Sequence, residues 1–135
     1  MIDVLTHVRD LLISDESLSQ KVVSQDIHFT KTPDAQNITR PTIVLDEYDD
    51  PIPETHSDGE RIAYNYAFQV DVYVNVSVEH NARTLRNELS NLISEILWKS
   101  DKIKLTSNLG NEYDEKFGLY RSTRRYEAIF YDENY

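Results

Sequence analysis

A long segment near the middle of the chain alternates between apolar and polar residues. From Tyr64 to Val76 every even position is apolar, whereas Asn65, Gln69, Asp71 and Asn75 occupy odd positions. Successive side chains of a strand point to opposite faces, so one face of this strand is expected to be buried. A strand covered on both faces would be apolar throughout, so the pattern predicts a half-buried, central antiparallel strand.

The period changes from two to between three and four directly after this strand. Ser77 is a good N-cap, and Glu79 is favourably placed against the positive end of a helix dipole. The apolar positions that follow are Val78, Ala82, Leu85, Leu89, Leu92, Ile93 and Ile96. The spacing predicts an amphipathic helix from Ser77 to about Lys99, with its apolar stripe packed on the sheet.

Weaker patterns predict the remaining elements. We expect a first helix from about Ile2 to Ile13, then a short helical turn within Ser17 to Val23 that leads to an extended piece at Ile27 to Phe29. Thr42 to Leu45 is predicted to form a strand beside the central one. A final strand or pair of strands is predicted from about Leu119 to Tyr131.

Two polar segments are expected to connect these elements. Asp46 to Arg61 contains two prolines and a glycine, so it predicts a long, flexible, acidic loop between two antiparallel strands. Asp101 to Lys116 is polar and carries a turn signal at 109–111. The element order predicts one α+β domain spanning residues 1–135. Its antiparallel sheet should have about four strands, with the N-terminal helix and the long helix packed on one face.

Composition narrows the class of protein. A chain of 135 residues is the size of one ordinary domain. It has no cysteine, so disulfides and thiolate metal sites are excluded, and an intracellular origin is expected. No apolar run approaches the roughly 20 residues that cross a bilayer, so a soluble protein without a membrane partner is expected.

The charge is strongly negative and unevenly distributed. The chain has 24 acids, 14 Lys or Arg residues and a net charge of -10, which opposes general binding to nucleic acid. The 46–60 segment is rich in acids: Asp46, Glu47, Asp49, Asp50, Glu54, Asp58 and Glu60. The RSTRR string at 121–125 is locally basic. Both patches are typical of solvated surface, but opposed patches also suit contact between subunits.

No pattern of catalytic or cofactor-binding residues is present. Three glycines leave no phosphate-binding loop, and the four scattered histidines lack metal-ligand spacing. The acids from Asp46 to Asp50 match no calcium-binding loop. Asp71, with Tyr73 nearby, lacks the second carboxylate or positioned base of an acid catalyst, so a pairing or interface role is favoured. We therefore expect a protein without enzymatic activity, cofactor or metal.

Nine tyrosines are more than a small core easily buries. Tyrosine is enriched at protein interfaces, because its ring is apolar and its hydroxyl forms hydrogen bonds. Cover of the sheet and an interface role are equally compatible with this number.

Several strings, taken in order, resemble the small tail-terminator and tail-completion proteins of long-tailed bacteriophages. After the N-terminal helix these are DESLSQKV, DIHF, RPTIVLDEY at Arg40 to Tyr48, YNYAFQVDVYV at Tyr64 to Val74 with the helix that follows, and YDEKFGLYRSTRRYEAIFY at Tyr113 to Tyr131. The resemblance covers nearly the whole chain. None of the strings is a catalytic signature, so their order carries the resemblance.

The resemblance implies a virion protein of the tail or neck, assembled in the host cytoplasm. Such a subunit forms a homo-oligomeric ring, typically of six copies, that caps the tail tube and joins it to the head connector. DNA would pass through the channel, lined by the strands, without specific binding. The tail tube protein and the head–tail connector protein would be its partners.

A closed ring needs two complementary, non-identical faces on each subunit. The acidic segment and Arg121, Arg124 and Arg125 are the candidates for these faces. Reversal of Arg124 and Arg125 to Glu is then expected to block assembly without unfolding the domain.

An acidic DNA mimic that inhibits a host DNA-binding enzyme is a competing interpretation, because the net charge permits it. A mimic would spread its carboxylates along one face with phosphate-like spacing, whereas these acids concentrate in one proline-containing segment.

Overall fold

The computed structural model describes residues 2–55 and 62–131. Three helices and six strands form an α+β domain. The helices are α1 (Val4–Ser14), α2 (Glu16–Ser19) and α3 (Ala82–Asp101). The strands are β1 (Ile27–Phe29), β2 (Thr42–Asp46), β3 (Ile52–Thr55), β4 (Ile62–Asn75), β5 (Lys104–Asp114) and β6 (Leu119–Tyr131).

One mixed sheet contains all six strands, in the order β1-β2-β4-β6-β5, and β3 pairs with β4 beyond the end of β2. The predicted sheet of about four antiparallel strands is therefore too small. β1 runs parallel to β2, and every other pair is antiparallel. β4 and β6 pair along their length, from Ala63 opposite Tyr131 to Asn75 opposite Leu119.

The alternation along β4 buries one face as predicted. Tyr66, Phe68, Val70, Val72 and Val74 are each at most 2% exposed. They pack against apolar residues of α1 and α3, so these helices cover this face of the sheet. We call it the helix face, and the opposite one, which carries the odd residues of β4, the polar face.

The long helix begins later than the sequence indicates. Ser77 accepts a hydrogen bond from the Glu79 amide and lies in a tight turn, bridged to His80. The cap of α3 is Asn81, whose side chain accepts from the Thr84 amide at 3.2 Å. Val78, assigned to the apolar stripe, lies before the helix and is fully exposed. A good cap residue therefore forms a turn here instead of starting the helix.

Both segments that the sequence predicts as connections, 46–61 and 101–116, contain a β-strand. Part of the expected 46–61 loop is β3, whose Pro53 is compatible with an edge position in the sheet. The expected polar connection at 101–116 is largely β5, and the chain reverses at 115–118. The turn signal at 109–111 belongs to an irregularity of β5, where the register shifts between Asn108 and Gly110 and Gly110 has a φ of +104°.

Candidate interaction surfaces

The polar face carries most of the site residues predicted on strands. Asp71 and Tyr73 lie on β4, and Arg121 and Arg125 lie on β6. The register places Tyr73 opposite Arg121, Asp71 opposite Thr123 and Gln69 opposite Arg125. Because these residues are an even number of positions apart on each strand, their side chains share one face.

Arg121 and Asp71 form the central ion pair of this face. Asp71 is 5% exposed, and its Oδ2 lies 3.4 Å from Arg121 Nη2. Arg121 Nη1 lies 3.6 Å from Glu112 on β5, and its guanidinium lies 5.4 Å from the centre of the Tyr73 ring. Burial lowers the pKa of Arg121, but Asp71, Tyr73 and Glu112 outweigh it and raise that pKa above its usual value. Asp71 therefore has the pairing role expected of it.

Arg125 joins the acidic segment to the sheet. Its Nε donates a hydrogen bond of 3.1 Å to Gln69 Oε1. Its guanidinium lies 4.2 Å from the centre of the Tyr48 ring, within cation–π range. Tyr48 stands among the acids that follow β2, so this contact fixes the start of the acidic segment against the polar face.

Arg124 lies on the helix face, apart from the other two arginines. Its Nη1 donates to the Ser90 carbonyl at 3.2 Å and to Ser94 Oγ at 3.0 Å, and its Nη2 donates to Asn91 Oδ1 at 3.0 Å. The RSTRR string is therefore divided between two faces of the sheet. Arg124 holds α3 against β6, and the remaining pair on the polar face is Arg121 and Arg125.

The described acids of the 46–60 segment lie along one edge of the sheet. Asp46 ends β2, Glu54 lies in β3, and the connection between them carries Glu47, Asp49 and Asp50. The predicted site residues Asp58 and Glu60 lie outside the described residues. Burial raises the pKa of Glu47, and repulsion from Asp3, Asp46 and Asp50 raises it further.

The charge on Glu47 is therefore expected to oppose folding. When a carboxyl has a higher pKa in the folded state, the protein loses stability as the pH rises from the unfolded pKa to the folded pKa. For Glu47 the unfolded pKa is 4.5. We expect Glu47→Gln to raise the free energy of unfolding at pH 7 and to leave it unchanged well below pH 4.5. Urea unfolding across this pH range measures the difference. Glu115→Gln, in the turn at 115–118, is the control, and an equal effect of both variants would contradict the prediction.

A groove of about 470 Å³ lies beside the ion pair of Asp71 and Arg121. Thr32, Pro33, Ala35 and Ile38 form one wall, and Tyr113 and Asp114 lie on the other side. Tyr73, Leu119 and Arg121 also line the groove.

The tyrosines divide between the two predicted roles. Tyr66 and Tyr126 are buried in the core, whereas Tyr113 and Tyr131 are more than 40% exposed. Tyr48 and Tyr73 are half-buried against arginines of the polar face. Cover of the sheet thus accounts for some tyrosines, and an interface role for the others stays a prediction.

The part of the chain that the structure describes contains neither a cluster of metal ligands nor a helix that could span a membrane. Within residues 2–55 and 62–131, no three His, Asp or Glu side chains are grouped closely enough to hold a metal ion. No helix in these ranges is long and apolar enough to cross a membrane.

The fold is similar to that of known structures. No protein-family profile and no curated protein match this sequence. Among solved structures, 11 chains match. One of them comes from a structure described as the virion of a native gene transfer agent particle, with a TM-score of 0.59 and 16% sequence identity. The similarity covers 93% of this chain and 92% of that chain, so the two share a fold over nearly their whole length.

Proposed function

We propose that this chain is a non-enzymatic structural subunit of the tail or neck of a phage-like virion. Six copies form a ring that caps the tail tube and joins it to the head connector. The observation that carries the proposal is the similarity to a chain of a gene transfer agent virion, which spans 93% of this chain and 92% of that chain. The ordered strings that resemble tail-terminator proteins support the same function.

The distribution of charge supports a channel that DNA crosses without binding. In the proposed ring the helices face outward and the polar face lines the channel. The two arginines of the polar face already have partners in the same subunit. Arg121 pairs with Asp71, and Arg125 contacts both Gln69 and Tyr48. With a net charge of -10 per subunit, the ring would repel passing phosphates.

The acidic segment is proposed as a contact face between neighbouring subunits of the ring. Asp49 and Asp50 are exposed, and Glu54 and Ile52 are exposed on the neighbouring strand. Asp46, Glu47, Asp58 and Glu60 belong to the same proposed surface, whereas Asp71, Tyr73, Arg121 and Arg125 belong to the polar face that is proposed to line the channel. Arg124 is left out, because its three hydrogen bonds bind α3.

Electron microscopy of the purified protein with isolated tail tubes of the source particle tests the function. We expect rings, or additional density at one end of each tube, in negatively stained images. The same tubes without the protein are the control. Monomers that leave the tubes bare at high protein concentration would contradict the proposal, and inhibition assays with basic DNA-binding host enzymes would follow.

The position of the gene is an independent test. A subunit of this kind is expected between the genes for the capsid and connector and the very long tape-measure gene. A gene placed among anti-restriction functions would instead favour the acidic DNA mimic.

A further inference from the structure

We propose that neighbouring subunits join head to tail through two opposite edges of the sheet. In this arrangement Lys102 and Lys104, at the start of β5, contact the acidic segment around Asp49 and Asp50 of a second copy. The inference rests on the proposed ring, and it identifies the two surfaces that hold the ring together.

β5 is a long edge without cover. All 11 of its residues are exposed, and within the described residues its only partner strand is β6. Leu105 and Leu109 add apolar surface to this edge, at 41% and 52% exposure. An exposed strand edge offers a row of unpaired backbone groups to another chain.

The basic end of this edge has unused positive charge. Lys102 ends α3 in the left-handed conformation, with a φ of 56°, and its Nζ lies 4.9 Å from the centre of the Trp98 ring. Lys104 follows two residues later, and Trp98 is 51% exposed. Neither lysine forms an ion pair with any residue in 2–55 or 62–131. Among the described residues, this end of β5 therefore combines two cations that lack an ion-pair partner with exposed apolar surface.

The opposite edge has the complementary chemistry. On this side the sheet ends in β1 beside β2 and in β3 farther along β4, and the acids lead directly into β3, whose described partner strand is β4 alone. Ile52, the first residue of β3, is 62% exposed. Asp49 and Asp50 are exposed and have no cation within ion-pair distance among the described residues. The mutual repulsion that raises the pKa of Glu47 is a further sign of uncompensated negative charge.

The register places these two edges at the same height along the strands. Lys104 lies opposite Glu127 of β6, and Glu127 lies opposite Ala67 of β4. Ile52 pairs with Asn65 and Asp46 pairs with Gln69, so the acidic segment spans the positions on either side of Ala67. The lysines and the acids are thus separated across the sheet by about 15 Å, three strand spacings, with little offset along it.

A closed ring brings unlike edges together. If the ring axis runs along the strands, rotation keeps every strand direction, so β5 of one copy meets β3 of the next. β5 has the direction of β4, whereas β3 is antiparallel to β4, so the two edges meet antiparallel. Such a heterologous contact closes into a ring, and its charge complementarity favours this pairing over contact between like edges.

Charge reversal on each edge tests the contact. The first variant is Lys102→Glu with Lys104→Glu, and the second is Asp49→Lys with Asp50→Lys. Each variant alone has like charges at every junction, so we expect at least a tenfold loss of rings or capped tubes. A mixture of the two variants restores opposite charges at every junction, and we expect rings with even numbers of subunits. Native mass spectrometry and electron microscopy measure both effects.

Controls separate this contact from the function itself. Glu115→Lys with Lys116→Glu reverses two charges in the turn at 115–118 and should assemble like the wild type. All variants should show the wild-type circular dichroism spectrum. Wild-type levels of assembly by either edge variant would overturn the proposed contact and leave the ring function standing. Dimers formed by the variant with Asp49→Lys and Asp50→Lys alone would also overturn the proposed contact, because they would indicate pairing between two β5 edges. A wild-type protein that neither forms rings nor caps tubes would refute the function and the contact together.

Discussion

Replacement of Arg124 by glutamate is expected to lower the free energy of unfolding by about 2–4 kcal/mol. The variant loses three hydrogen bonds to Ser90, Asn91 and Ser94 of α3. It also places a carboxylate next to the Ser90 carbonyl and near the buried Tyr126, where no described cation takes the place of the arginine. Urea unfolding followed by circular dichroism measures the loss.

Arg125→Glu is the matched control on the adjacent position. Within the described residues the Arg125 side chain donates a hydrogen bond to Gln69 and stacks on Tyr48 at the polar face, so the expected loss is below about 1 kcal/mol. Equal losses for the two variants would contradict the division of the arginines between two faces. The control also matters for assembly experiments, since a charge reversal at Arg124 is expected to weaken the fold in addition to any effect on subunit contacts.

Phe68→Ala is expected to cost about 3–5 kcal/mol of stability. Phe68 is 0% exposed and stacks on Tyr126 with ring centroids 5.5 Å apart, at the centre of the helix face. Removal of the ring leaves a cavity between the sheet and the helices that rigid strands cannot close. Thermal unfolding of the monomer should show a fall in Tm of well over 10 °C for a domain of this size.

Ile129→Ala provides the comparison for this cavity. Ile129 is 55% exposed on the polar face of β6, so its truncation should change stability by less than about 0.5 kcal/mol. A large loss at Ile129 together with a small loss at Phe68 would mean that the buried face of the sheet has been assigned wrongly.

The spacing of apolar residues was a reliable guide to secondary structure wherever one face of an element is buried. The alternation in β4 and the stripe in α3 both reflect contact with the same core, so the sequence predicts these elements and their mutual packing. The parallel pairing of β1 with β2 leaves no such sign, because three residues are too few to show a period. The sequence does not predict strand β3 for a similar reason, since this strand has only four residues and one of them is a proline.

β5 could not be predicted, because its environment imposes no pattern. All its residues are exposed, so apolar and polar side chains follow no alternation, and among the described strands β6 alone pairs with it through the backbone. The division of the arginines, in contrast, has a readable signal. Tyr126, Ala128 and Phe130 are apolar at even positions of β6, and Arg124 belongs to the same series. Application of the two-residue period to β6 would have separated Arg124 from Arg125.

The irregularities of the two sheet edges also control polymerisation. A head-to-tail contact that fails to close produces an endless ribbon, and a flat edge of 11 residues would favour such growth. Two register shifts twist β5, and Pro53 lacks the N–H of an ordinary strand residue in β3. A continuous ladder of backbone hydrogen bonds between copies is therefore hindered on both sides. If the proposed ring is correct, the same irregularities would limit the growth of free subunits into fibrils.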